Sequence, residues 1–118
     1  MNMQVITSLF SLFSGENDTD HFLPILTTAC EEVTSILRES ADTSETRLCY
    51  LVAAVANLRY TEIYGARENA LATYAGTIAR ESDATHQLHF AQQLVKSYQG
   101  LCRDLIRDSG AFLFSVKG

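Results

Sequence analysis

Leu48-Cys49-Tyr50-Leu51-Val52-Ala53-Ala54-Val55-Ala56 is the longest uninterrupted apolar run in the chain, and its reading decides the fold. A helix that is apolar all round is buried on every side, so this stretch belongs at the centre of a bundle. Its alanines leave room for neighbouring elements to approach closely. The pattern predicts a central helix running to about Tyr64 and ended by Gly65. The preceding turn, Ser40 to Glu45, is rich in Ser, Thr and Asp, and Asp42, Thr43 or Ser44 can cap that helix by accepting a free backbone N–H.

Working outward, Val5-Ile6, Leu9-Phe10 and Leu12-Phe13 recur every three to four residues and describe one face of a short N-terminal helix. Gly15 closes it in the manner of C-terminal glycines, and Glu16 to Asp20 reads as a polar linker. From Asp20 to Arg38 the helical period returns in Phe22, Leu23, Leu26, Ala29, Cys30, Val33, Ile36 and Leu37, with Asp20 or Thr19 as cap and Glu31 and Glu32 on the wet face. Pro24 is tolerated only near a first turn, so the regular helix begins a few residues late. A long C-terminal helix is expected from Ser82-Asp83 to Asp108, with Gly110 ending it and a stripe of Leu88, Ala91, Leu94, Val95, Tyr98, Leu101, Cys102, Leu105 and Ile106. At ~1.5 Å per residue it spans about 40 Å. Between these helices, residues 67–81 mix helix formers with Thr73-Tyr74-Ala75-Gly76-Thr77-Ile78, where β-branched and aromatic residues surround a glycine. This segment reads as irregular or hairpin-like. The ending, Ala111-Phe112-Leu113-Phe114-Ser115-Val116, reads as an extended apolar tail whose phenylalanines need cover. The fold class is therefore all-α: one domain over residues 1–118, a small bundle of about four helices, a long C-terminal helix and an extended tail at 111–118.

Bulk composition agrees. The 118 residues suit one domain, and 47% hydrophobic with 19% charged residues supports a core without disulfide staples. The net charge is −5, and the nine cations are scattered from Arg38 to Lys117. No basic cluster exists to neutralise adjacent phosphates, which disfavours tight direct nucleic-acid binding and attraction to an anionic membrane. The N-terminus lacks the cationic start of a secretory signal. The longest apolar run falls far short of the ~20 residues that span a bilayer. These features predict a soluble protein of a reducing cytosol. Cys30, Cys49 and Cys102 are odd in number and form no CxxC pair, which argues against a disulfide framework and a structural zinc site. They read as small core hydrophobes.

No motif for catalysis stands out, and neither an enzyme nor a cofactor is expected. Gly65, Gly76 and Gly100 are isolated and form no phosphate loop, and no Gly-x-Ser-x-Gly elbow occurs. Asp83, His86 and His89 share a helix face, but one such pair specifies little, and they read as two surface or half-buried histidines rather than a metal site. Asp104, Arg107 and Asp108 read as a solvated ion-pair face. Tyr50, Tyr60 and Tyr64, with Arg59 between them, admit two readings: rings that finish the core, or an interface, where Tyr and Arg are favoured.

Arg47-Leu48, Ala53-Ala54-Val55-Ala56 and Leu58-Arg59-Tyr60 together resemble the middle helix of small prophage-encoded proteins similar to the head–tail connector, or adaptor, proteins of long-tailed phages. Ala75-Gly76-Thr77-Ile78 resembles the Ala-Gly-Asp-Val stretch that those proteins often carry between their last two helices, with Thr77 departing from the common Asp. Arg107-Asp108-Ser109-Gly110-Ala111-Phe112-Leu113-Phe114 resembles their acidic turn followed by aromatics. The resemblance covers roughly residues 30–118. It implies a non-enzymatic ring of identical subunits joining portal to tail-completion proteins, made in the bacterial host cytoplasm and placed in the virion neck. An acidic channel of this kind would offer few cations for DNA to stick to. The residues expected at an oligomer or partner interface are Arg59, Tyr60, Tyr74, Phe112 and Phe114. The alternative is a small helical protein-binding or regulatory module of the bacterial cytosol.

Overall fold

The computed structural model describes residues 1–75 and 78–107, and the side chains among them outside residues 65–84. Four α-helices follow one another: α1 (Met3–Ser14), α2 (Leu23–Ser35), α3 (Thr46–Ala75) and α4 (Ile78–Leu101), with a 3-10 turn over Thr19–Phe22 leading into α2. Helices α1, α2 and α4 all pack on α3. Leu48, Cys49 and every residue from Leu51 to Leu58 are buried, so the apolar run is the centre of the bundle. Tyr50 alone in that run reaches the edge of the core.

Helix α1 is set by its two ends. The Asn2 side chain accepts the N–H groups of Gln4 and Val5, and Gly15 adopts φ +81° while its N–H returns to the Ser11 carbonyl at 2.8 Å. That left-handed backbone is open to glycine at little cost. The start of α2 differs from expectation. Neither Thr19 nor Asp20 caps it through a side chain. The 3-10 turn delivers the chain instead, the Leu23 N–H bonds the Asp20 carbonyl, and Pro24 occupies the first turn. Asp42 likewise organises the turn before α3, accepting the Ser44 N–H and hydroxyl, with the helix beginning at Thr46.

Two predicted boundaries are corrected. Helix α3 does not stop at Gly65 but runs on to Ala75, and α4 begins at Ile78, so the described part of the 67–81 segment is helical and not hairpin-like. A mid-helix glycine costs about 1 kcal/mol relative to alanine, and the following Ala66, Arg67, Glu68, Ala70, Leu71 and Ala72 are strong helix formers. The longest helix is therefore α3, with 30 residues, not the C-terminal α4, with 24. Helix α4 also ends at Leu101, seven residues before the expected Asp108. Its last turn is held by Arg47 of α3, whose guanidinium donates to the Leu101 carbonyl at 2.9 Å and grips the Asp104 carboxylate at 2.9 and 3.3 Å. A cation at a helix C-terminus satisfies carbonyls that have no helical partner and complements the helix dipole. Residues 102–107 then turn back across the end of α2. Leu37 and Ile106 form an isolated antiparallel bridge, in which the Arg38 N–H bonds the Leu105 carbonyl at 2.9 Å and the Arg107 N–H bonds the Ile36 carbonyl at 2.7 Å. Asp104 and Arg107 consequently do not form a helical ion-pair face. The extended tail at 111–118 lies outside the described residues.

Candidate interaction surface

Of the residues expected at an interface, Arg59 and Tyr60 have described side chains. Arg59 and Tyr60 are neighbours on α3, yet their side chains leave the helix toward different elements. Arg59 crosses to α2, where its Nε and Nη2 donate to the two Glu32 carboxylate oxygens at 3.1 and 2.7 Å. Its Nη1 also reaches Glu62, one turn along α3, at 3.1 Å. The hydrogen bonds to Glu32 hold the guanidinium above its ordinary pKa, against the opposing effect of partial burial. Glu32 thus pairs with a cation across the helix interface instead of lying on a simple wet face. A two-pronged Arg–carboxylate contact of this kind fixes orientation as well as charge.

Tyr60 turns toward α1 and the 3-10 turn. Its ring stands edge-on to Phe10 and Phe22, with centroids 5.7 and 5.3 Å away, and lies 5.0 Å from Tyr64. Its hydroxyl donates to the Glu16 carboxylate. Glu16 is placed there by the α1 cap, through its N–H to the Ser14 hydroxyl and its carbonyl to the Ser11 hydroxyl. Tyr60 therefore finishes the core with its hydroxyl at the edge. Tyr50 does so elsewhere, its ring 5.4 Å from that of Tyr98, which stacks on Phe13. Tyr74 falls in the part of α3 whose side chains are outside the description, and Phe112 and Phe114 lie outside the described residues.

Two surfaces went unread in the sequence. The first is a groove of about 300 Å3 between α2 and α3, lined by Pro24, Ile25, Thr28, Glu32, Arg59 and Ile63. Its floor is apolar, Ile63 is 48% exposed, and the Arg59–Glu32 pair forms one wall. The second is a line along α4. Phe90, Leu94, Ser97 and Leu101 follow the i, i+4, i+7, i+11 spacing of one helix face, with Phe90 58% and Leu101 51% exposed. Leu101 was expected in the buried stripe. It lies instead on the outward face with Phe90, while Ala91, Val95 and Cys102 are buried. Phe90 carried a signal, since it falls outside the inward stripe while being large and apolar.

Cys102, just past the end of α4, is fully buried and its thiol points at the Arg47 carbonyl, 3.4 Å away. Burial pushes this thiol up to about 11, so it stays protonated and unreactive near neutral pH. Cys49 is buried and Cys30 is half-buried, and all three are free thiols. His86 and His89 are both exposed on α4. Among the described residues no group of three potential metal ligands comes together, and no helix is long and apolar enough to cross a membrane. Compared with family models, curated proteins and solved structures, the chain matches none of them.

Proposed function

We propose that this protein is a non-enzymatic structural adaptor of a phage or prophage virion, assembling as a ring of identical subunits between the portal and the tail-completion proteins. The observation that carries the assembly part of this reading is the α4 line, where Phe90 and Leu101 present exposed apolar surface three turns apart on one rigid helix. Isolated exposed apolar side chains are ordinary. Two aligned with a half-buried Leu94 between them suit the packing of a second helix from another copy, because side chains at this spacing meet a neighbouring helix as a seam. The virion assignment comes from the resemblance over residues 30–118, and the acidic, cation-poor composition suits a DNA conduit that must not adhere to its cargo.

Native mass spectrometry and negative-stain imaging of the chain, alone and mixed with the portal protein of the same genome, test this reading. Rings of a single copy number are expected in the mixture. Phe90→Glu combined with Leu101→Glu should abolish them while leaving the helical circular dichroism unchanged, since both sites are solvent-facing. A chain that stays monomeric in the presence of its portal would overturn the proposal.

A further inference from the structure

We infer that the exposed ridge of α4 in one copy docks in the α2–α3 groove of the next copy, with Phe90 seated over Thr28 and Ile63, Leu94 over Pro24, and His86 beside Glu31 and Glu32. The inference rests on the association between copies proposed above and names the surface that receives α4.

Three observations select a second copy as the occupant. The first is separation. The groove is lined by residues of α2 and α3, and the ridge stands on α4. The two patches are different surfaces of one chain, so each copy can offer its ridge to one neighbour and its groove to another. Unlike patches that meet head to tail generate a ring when the rotation between copies closes.

The second observation is charge. From Thr85 to Arg103 the chain carries His86, His89, Lys96 and Arg103 and no Asp or Glu. The margin of the groove holds the carboxylates of Glu31, Glu32 and Glu62 and the guanidinium of Arg59, an acidic balance. Two copies of net charge −5 repel at long range. A basic-to-acidic contact is the pairing in which that repulsion is locally reversed, whereas α4 against α4 would bring cations together.

The third observation is register. Pro24, Thr28 and Glu32 rise along α2 in steps of four residues, and so do His86, Phe90 and Leu94 along α4. Each step is ~6 Å at ~1.5 Å per residue. Laid antiparallel, the two lines match rung for rung: apolar Leu94 on Pro24, Phe90 on the middle of the groove beside Ile63, and His86 at the acidic end. The groove, at about 300 Å3, sits at the lower limit of the ~300–1,000 Å3 typical of small-molecule pockets. Its size suits one large side chain entering from a neighbouring helix, and a buried aromatic anchor of this kind carries much of an interface's energy.

The test places p-benzoylphenylalanine at position 90, which keeps an aromatic ring there and bonds covalently to adjacent groups under near-ultraviolet light. The full chain bearing it is mixed at high concentration with nitrogen-15-labelled chain, irradiated, and mapped by mass spectrometry. Adducts between copies are expected on residues 24–28 or on Ile63. Ile63→Asp in the labelled copy should lower their yield roughly tenfold or more, because the apolar contact is lost. Thr28→Lys, at an exposed helical site, should do the same by setting a cation against the basic ridge. His86→Glu in the probe-bearing copy should lower the yield, and Glu31→Lys in the labelled copy should restore it. Three results would each overturn the inference: adducts confined to the probe's own chain, adducts on α4 of the labelled copy, or groove adducts that neither groove substitution reduces. Groove adducts without rings beside the portal would sink the adaptor reading and leave this docking standing. Rings whose adducts fall elsewhere would do the reverse.

Discussion

Arg59 carries the clearest lesson at the scale of the residue. Its type and its place between tyrosines marked it as a candidate interface residue, and the structure finds it on the wall of a groove, already occupied by Glu32 and Glu62. Sequence can nominate an arginine. It cannot say which carboxylate will reach it, because Glu32 is brought close only by the packing of α2 on α3. With both side chains of the Arg59–Glu32 pair about three-quarters covered, removal of one leaves the other partly desolvated. Arg59→Ala is therefore expected to cost roughly 1.5–3 kcal/mol in urea unfolding, the range for hydrogen bonds to charged groups. In a double-mutant cycle with Glu32→Gln the two losses should fall short of additivity. Additive losses would mean that the pair contributes nothing as a pair. Tyr60 was ambiguous in sequence for a related reason: an amphipathic ring suits a core edge and an interface equally, and the carboxylate of Glu16 that receives its hydroxyl is set by the cap of a different helix.

At the scale of the element, two glycines of the same type have opposite outcomes. Gly15 ends α1 because the chain beyond it, Glu16-Asn17-Asp18-Thr19-Asp20, has no apolar residue to bury by continuing the helix. Gly65 does not end α3, because the residues beyond it propagate a helix well. The helical period, the identity of the central helix and the site of Pro24 were all legible. The boundaries set by tertiary contacts were not: α4 stops at Leu101, whose carbonyl accepts from the guanidinium of Arg47, far away in sequence. The reading of α3 as one helix has a direct consequence. Gly65→Ala should stabilise the protein by about 0.5–1 kcal/mol, since alanine loses less backbone freedom in a helix. If Gly65 were instead a left-handed stop, the same substitution would lower the melting temperature in a thermal scan.

At the scale of the whole molecule, the all-α architecture followed from one apolar run, whereas the surfaces that suit partners did not. An exposed Phe90 and a groove between α2 and α3 are properties of how the elements meet, and periodicity along a single helix carries no record of that meeting. The bridge between Leu37 and Ile106 is such a meeting, and it bears on how the chain reaches its native state. It joins two short segments that are separated by the entire α3–α4 hairpin, so forming it early would require closing a very long loop for two backbone hydrogen bonds. The hairpin can assemble from contacts nearer in sequence, which leaves the bridge to form after the main barrier. Ile106→Ala, at a buried site, should then cost roughly 2–4 kcal/mol almost wholly as faster unfolding, with the refolding limb of the chevron nearly unmoved. The two hydrogen bonds that tie residues 36–38 to 105–107 would act as a latch on the finished fold: they set how long the native state lasts and have little influence on how quickly it is found.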